Sequence, residues 1–329
     1  MQYFLFTVNE QSWPEHFKTG IAAINDPSTD PNNIQGNAQK QKALCELASV
    51  NTGDILFFYF QQKKEIMGVY EASSKPFFDT NPLVNGGFIN QKFPIRVAFK
   101  QKINFPINLG MAEVWHSKDK GSFWSIQQQR GDSVGRHACI CLTKQDGEHL
   151  LKMFYEKNPV ISKLVEIKIA EHKNEDLPLD YTHNETELHY EAVLQAILLR
   201  DLGGGKHKDI LGDYDYFVPF FPTSSQKEID ILLFKHKTNE VLWYEILELK
   251  QSCFSKEELN KVMGYEDWLI NSLAVNARSV HSIGIANKHD QEVKEYVNKR
   301  TDYGGKKIRL VEYQFDNKNN TIILNEVSI

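Results

Sequence analysis

Paired apolar runs around short polar breaks set the pattern of this chain. Residues 229–234 and 241–249 are two β-rich runs, and the polar stretch 235–240 separates them. That pattern predicts a β-hairpin turning near Thr238 and Asn239. Residues 55–60 (ILFFYF) and 66–72 (IMGVYEA) repeat the pattern around 61–65. Further short strands are predicted at 3–8, 95–99, 139–142, 163–170, 214–221, 280–286, 308–315 and 321–327. Helical spacing appears at 147–155, 184–202, 255–273 and 290–299. Asn184 with Glu187, and Ser255 with Glu258, have the spacing of a capping box at a helix start.

The order of these elements changes along the chain. Strands with few helices occupy the first half, which predicts a compact β-barrel-like domain. The second half alternates helices and strands and predicts a layered α/β domain on a mixed sheet. A polar stretch with Pro178 reads as the linker. The division is therefore 1–170, a linker at 171–183, and 184–329. The fold class is an α+β two-domain protein.

Composition narrows the function classes. The 329 residues are 41% apolar and 25% charged, ordinary values for a globular protein. No run of 18 apolar residues offers a membrane span, and no basic, apolar leader opens the chain; a cytoplasmic protein without a membrane partner is expected. Cys45, Cys139, Cys141 and Cys253 lack zinc-site spacing and are expected as free thiols. The net charge of −5 is unevenly divided: residues 1–165 carry 18 basic and 15 acidic side chains, and 166–329 carry 20 and 28. The first half is thus the better phosphate grip, and the acidic half needs a cation to approach a nucleic acid.

The predicted hairpin holds the chemistry. Asp230 interrupts its first strand, and Glu248 and Lys250 close the second. With a turn near 238, residue 230 lies across from 247 or 248, and a small register adjustment puts Asp230 on the face shared by Glu248 and Lys250. Two carboxylates so placed can hold a divalent cation such as Mg²⁺, and a neighbouring lysine can handle a water or offset phosphate charge. Ordinary charges on an exposed hairpin edge would read the same way. In the preceding helix, Glu187 and Glu191 fall at one end of an apolar stripe that includes Leu194 and Leu198. In the first half, EVWHSKDKGSFWSIQQQRGDS gathers Trp115, Phe123 and Trp124 beside Gln127, Gln128 and Arg130. Such a set can stack on a base and read its edge, or simply fill a core.

Two resemblances follow from these stretches. YFLFTVN, GDILFFYF, IMGVYEASSKPFFD and GRHACICLT, in that order over residues 1–158, resemble the PUA-like superfamily near the EVE and YTH domains. That implies a PUA-like β-barrel holding a nucleobase, often a modified one, in an aromatic pocket, with Trp115, Phe123, Trp124, Gln127 and Arg130 as candidates. Residues 184–315 resemble the PD-(D/E)XK nucleases, nearest the NucS/EndoMS nuclease domain, through Asp230, Glu248-Leu249-Lys250, the acidic segment TELHYEAVLQ, and Tyr265, Trp268 and Leu269. Lys261 departs from that pattern, which has glutamine there; Gln251 is a nearby substitute.

The second resemblance implies a restriction-endonuclease-like domain with Asp230, Glu248 and the Leu249 carbonyl on Mg²⁺ (Mn²⁺ as substitute). Lys250 would handle water, and Glu187 or Glu191 would complete the acidic site. Together the two imply a metal-dependent endonuclease on double-stranded DNA carrying a modified base, a restriction or defence enzyme, working as a homodimer if both strands are cut. A repair endonuclease and a non-catalytic nucleic-acid-binding protein are the alternatives, with an RNA-directed role behind them.

Overall fold

The structure, a computed structural model, describes residues 1–24, 43–81, 93–127, 134, 137–172, 175–179, 187–223, 227–238, 240–274, 276–300 and 308–328. The chain divides into two compact units, Met1–Pro178 and Leu179–Ile329.

The first unit is built on one curled sheet. Its strands are β1 (Tyr3–Val8), β2 (Ile21–Ile24), β3 (Ile55–Phe60), β4 (Glu65–Ala72), β5 (Phe77–Phe78), β6 (Ile95–Ile103), β7 (Leu109–Gly110) and β8 (Cys139–Leu142). The main path runs β2-β6-β4-β3-β1-β8, with β5 on β6 and β7 on β4. Every residue of β3 is buried, as an unbroken apolar run requires of an interior strand. It pairs parallel with β1 and antiparallel with β4.

The Gly53-Asp54 turn locks that junction. Gly53 takes φ 94°, and its N–H donates to Ala72 O at 2.8 Å. Asp54 accepts from the Gln2 and Asn51 amides at 2.7 and 2.8 Å. The helix Lys144–Lys157 lies on β1 so closely that a Cβ at Gly147 would stand 2.1 Å from Tyr3 Cγ. Arg96, almost fully buried, pairs with Asp79 at 3.2 Å and also donates to the carbonyls of Phe93 and Asn81.

The second unit is a six-stranded mixed sheet. It comprises β9 (Tyr216–Pro222), β10 (Glu228–Lys237), β11 (Glu240–Phe254), β12 (Val280–His289), β13 (Arg309–Asp316) and β14 (Thr321–Glu326), ordered β14-β13-β12-β11-β10-β9. The helix Lys256–Ser272 carries the chain from β11 to its parallel neighbour β12, and Gln291–Lys299 does so from β12 to β13. Parallel pairs need such crossovers. Ser255 and Glu258 form the expected capping box. The hairpin register pairs Ile231 with Leu247, with an irregularity at Lys235/His236.

Two expectations are corrected. The helix expected from 184 begins at Glu191, after an extended Tyr190. Gln251 on β11 explains the difference, because its Nε2 donates to Leu188 O at 2.7 Å and Glu187 Oε1 at 3.1 Å. That tertiary pairing holds the segment extended against the local capping signal; Asn184 lies outside the described residues. The strand expected at 163–170 is absent among the described residues. Side chains hold it instead: Asn104 donates to Lys163 O, and Gln101 accepts from Val165 N–H, both at 2.7 Å.

Candidate functional site

β10 and β11 part company at Asp230, and the gap is filled by side chains. The Leu249 N–H donates to Asp230 Oδ2 at 2.8 Å, while Gln195, buried on the helix Glu191–Gly203, donates to the Asp230 backbone oxygen at 2.8 Å. Continuing the 231–247 register sets residue 230 opposite Glu248, so both acids lie on one face. Glu248 is only 4% exposed, on a central strand buried from Tyr244 to Leu249. Its Oε2 is buried with no hydrogen-bond partner among the described residues. Burial, and then the charge of the partner acid, push Glu248 up to about 9. Burial also lifts Asp230 to about 7, with Glu191 adding to the rise and the Leu249 amide opposing it.

Two lysines balance this charge. Lys250 Nζ stands 3.0 Å from Glu191 Oε2 and 3.6 Å from Glu258 Oε1. Burial pulls its pKa down, but Glu191 and Glu258 more than offset that, so Lys250 is an ammonium throughout the neutral range. Lys261 Nζ stands 3.8 Å from both Glu248 Oε1 and Glu258 Oε1. Glu258 is buried, yet Ser255 holds its carboxyl below the ordinary value through hydroxyl and amide donors.

The structure thus brings Asp230, Glu248, Leu249, Lys250 and Glu191 together, and sets Glu187 aside on Gln251. Tyr265 braces the hairpin by donating to Glu228 O at 2.9 Å, and Trp268 packs on Phe221. Gln195 and Glu258 are site residues that the sequence reading did not assign. A lone glutamine inside the apolar helix run EAVLQAILL was the available signal for the first.

Among the described residues, no group of three or more His, Cys, Asp or Glu is placed to hold a metal ion. The donor chemistry nonetheless fits a hard cation. Mg²⁺ takes oxygen ligands and commonly binds through one or two carboxylates while keeping waters. Asp230 and Glu248 are such a pair, and the orphaned Glu248 oxygen is the acceptor a cation would satisfy.

The aromatic segment of the first unit is more dispersed in role. Phe123 is buried and packs edge-on against His149. Trp115 is half-buried on the helix Met111–Asp119, its indole N–H buried without a partner among the described residues. Trp124 and Gln127 are half-buried; Arg130 lies outside the described residues. Asp146, fully buried, anchors this loop by accepting from the Trp124 and Ser125 amides and the Ser125 hydroxyl. A separate cluster, Trp13, Phe58, Tyr70 and Phe99, has ring centres 4.8–5.9 Å apart. Among the described residues no helix is long and apolar enough to cross a membrane.

The sequence matches no protein-family model and no curated protein. Among solved structures it is similar to a hypothetical protein from Leishmania major (15% identity, 48% of this chain and 96% of that one, TM-score 0.34). It is also similar to the YTH domain-containing protein mmi1 in a complex with RNA (17%, 47% and 82%, TM-score 0.31). A third similar structure is the Pho92 YTH domain in complex with m6A (11%, 49% and 87%, TM-score 0.29). The expectation of double-stranded DNA as partner is corrected on this finding, since the nucleic acid solved with a similar structure is RNA.

Proposed function

We propose that this chain binds RNA and that its second unit hydrolyses phosphodiester bonds with the help of a divalent cation. The observation that carries the reading is the buried, unpartnered Glu248 oxygen on the same face as Asp230, with Lys250 held as an ammonium beside them. A buried Glu248 and a half-buried Asp230 brought together across adjoining strands cost stability unless something positive sits against them. Asp230 and Glu248, with the Leu249 carbonyl, would hold Mg²⁺ or Mn²⁺. A cation bound there supplies charge to a phosphate oxygen and lowers the proton affinity of a water. Glu191 holds Lys250 in place, and the ammonium orients the attacking water and offsets charge on the phosphate. Gln195 and the Leu249 amide fix Asp230 where the two strands separate. The first unit would supply the grip on the strand, with Trp115, Trp124 and Gln127 as base-contact candidates.

A second reading is a nucleic-acid-binding protein without catalysis. It is favoured by the absence, among the described residues, of a complete metal-holding group and by the two lysines already balancing the acids. One experiment separates the two. End-labelled single-stranded RNA, with and without N6-methyladenine, is incubated with the purified chain in Mg²⁺, Mn²⁺ or EDTA, beside Asp230→Asn and Lys250→Ala. Metal-dependent cutting lost in both variants supports hydrolysis. Retardation of the RNA without cutting under every condition selects the binding protein.

A further inference from the structure

Lys261 occupies a place that invites a different use from Lys250. It projects from the second turn of the helix Lys256–Ser272 and stands 3.8 Å from two carboxylates at once, Glu248 on β11 and Glu258 one turn back on its own helix. Neither distance is that of a tight hydrogen-bonded pair, so the ammonium is shared between two positions rather than fixed at one. Glu258 is the stable receiver. Ser255 donates to it from both amide and hydroxyl, and Lys250 lies 3.6 Å away. Glu248 is the needy one, with one oxygen near Lys261 and the other buried without a partner among the described residues. The Lys261 side chain is about one-third exposed, so it has room to move.

We propose that Lys261 is a built-in counter-cation for Glu248, which an incoming divalent ion displaces onto Glu258. This rests on the proposed metal-assisted reading and adds a regulating residue to it. Without metal, the lysine faces the Glu248 carboxyl, offsets whatever negative charge it carries, and holds β11 against the helix. When a divalent ion enters, the like charges repel, and the lysine completes its pair with Glu258 one helical turn away. The ion must therefore compete with a tethered cation, which raises the metal concentration needed to fill the site.

The test is Mn²⁺ binding to the full chain, measured as free Mn²⁺ by electron paramagnetic resonance, without substrate. Wild type is compared with Lys261→Gln, which removes the charge, Lys261→Arg, which keeps it, and Glu248→Gln, which removes the acid. A neighbouring unit charge at this range is worth roughly a factor of ten or more in cation affinity. Lys261→Gln should bind Mn²⁺ at least about tenfold more tightly, and Lys261→Arg should stay close to wild type. Binding of Mn²⁺ by wild type and Lys261→Gln with equal affinity, or weaker binding by the variant, overturns the displacement idea while leaving the metal site standing. Absence of Mn²⁺ binding in wild type and all variants, or binding unaffected by Glu248→Gln, overturns the metal site itself and this inference with it. Melting curves of each variant in EDTA check that the fold is intact.

Discussion

Replacing Glu248 with glutamine should stabilise the metal-free protein, and more so as the pH rises. Glu248 is pushed from an ordinary 4.5 to about 9, by burial first and by Asp230 second. In the unfolded chain the carboxyl ionises freely above 4.5; in the fold it stays protonated until far higher pH. The folded state thus binds more protons between these values, and stability falls as pH rises from about 4.5 toward 9. Each pH unit in that window is worth about 1.4 kcal/mol, so at pH 7 the fold forgoes on the order of 3 kcal/mol at this one residue. Glutamine carries no such penalty, although its amide needs partners and loses about 1 kcal/mol where it lacks them. The difference between variant and wild type should therefore be small near pH 5 and favour Glu248→Gln by roughly 3–4 kcal/mol at pH 8 in EDTA. Amide hydrogen exchange across a urea series, read on β10–β11 peptides, isolates the second unit. Parallel pH profiles for the two proteins would mean instead that Glu248 ionises in the fold as easily as in water, against its burial beside Asp230.

Gly147→Ala should destabilise the first unit by about 2 kcal/mol or more, because the added Cβ meets the Tyr3 ring on β1; exchange of β1 peptides reads it, and unchanged protection would contradict the packing. Asp79→Ala leaves the guanidinium of Arg96 buried without its acid and should cost roughly 3–5 kcal/mol, seen as a large drop in the first unit's melting temperature. Asp146→Ala removes the acceptor that holds the 124–125 loop, so Trp124 emission should shift to the red while secondary structure is kept.

Much of the sheet was readable in the sequence because its patterns are local. The polar break between 234 and 241 and the apolar runs on either side predict the hairpin, but the irregularity at Lys235/His236, which sets Asp230 opposite Glu248 rather than Leu247, is not legible in them. Ser255 and Glu258 announce a helix start through backbone bonds a few residues apart. What escaped depends on partners distant in the chain. Glu187 looked helical until Gln251, 64 residues later, drew it aside. Gln195 is one polar letter in an apolar helix, and nothing local shows that it reaches the Asp230 carbonyl. Lys261 read as a departure from a pattern, whereas the crossover helix turns it toward Glu248. In the first unit, Phe123 and Trp124 are adjacent letters, yet one ring is buried beside His149 and the other is half-exposed.

In the proposed reaction, water handled by Asp230, Glu248 and Lys250 attacks a phosphodiester. Its most direct measurement is cleavage of a defined single-stranded RNA in water enriched in oxygen-18, with Mn²⁺, followed by mass spectrometry of the product ends. Attack by water gives one heavy oxygen in the terminal phosphate for each cut, no 2′,3′-cyclic phosphate, and no product from the Lys250→Ala protein. RNA left whole, or cut to cyclic ends without heavy oxygen, would contradict it.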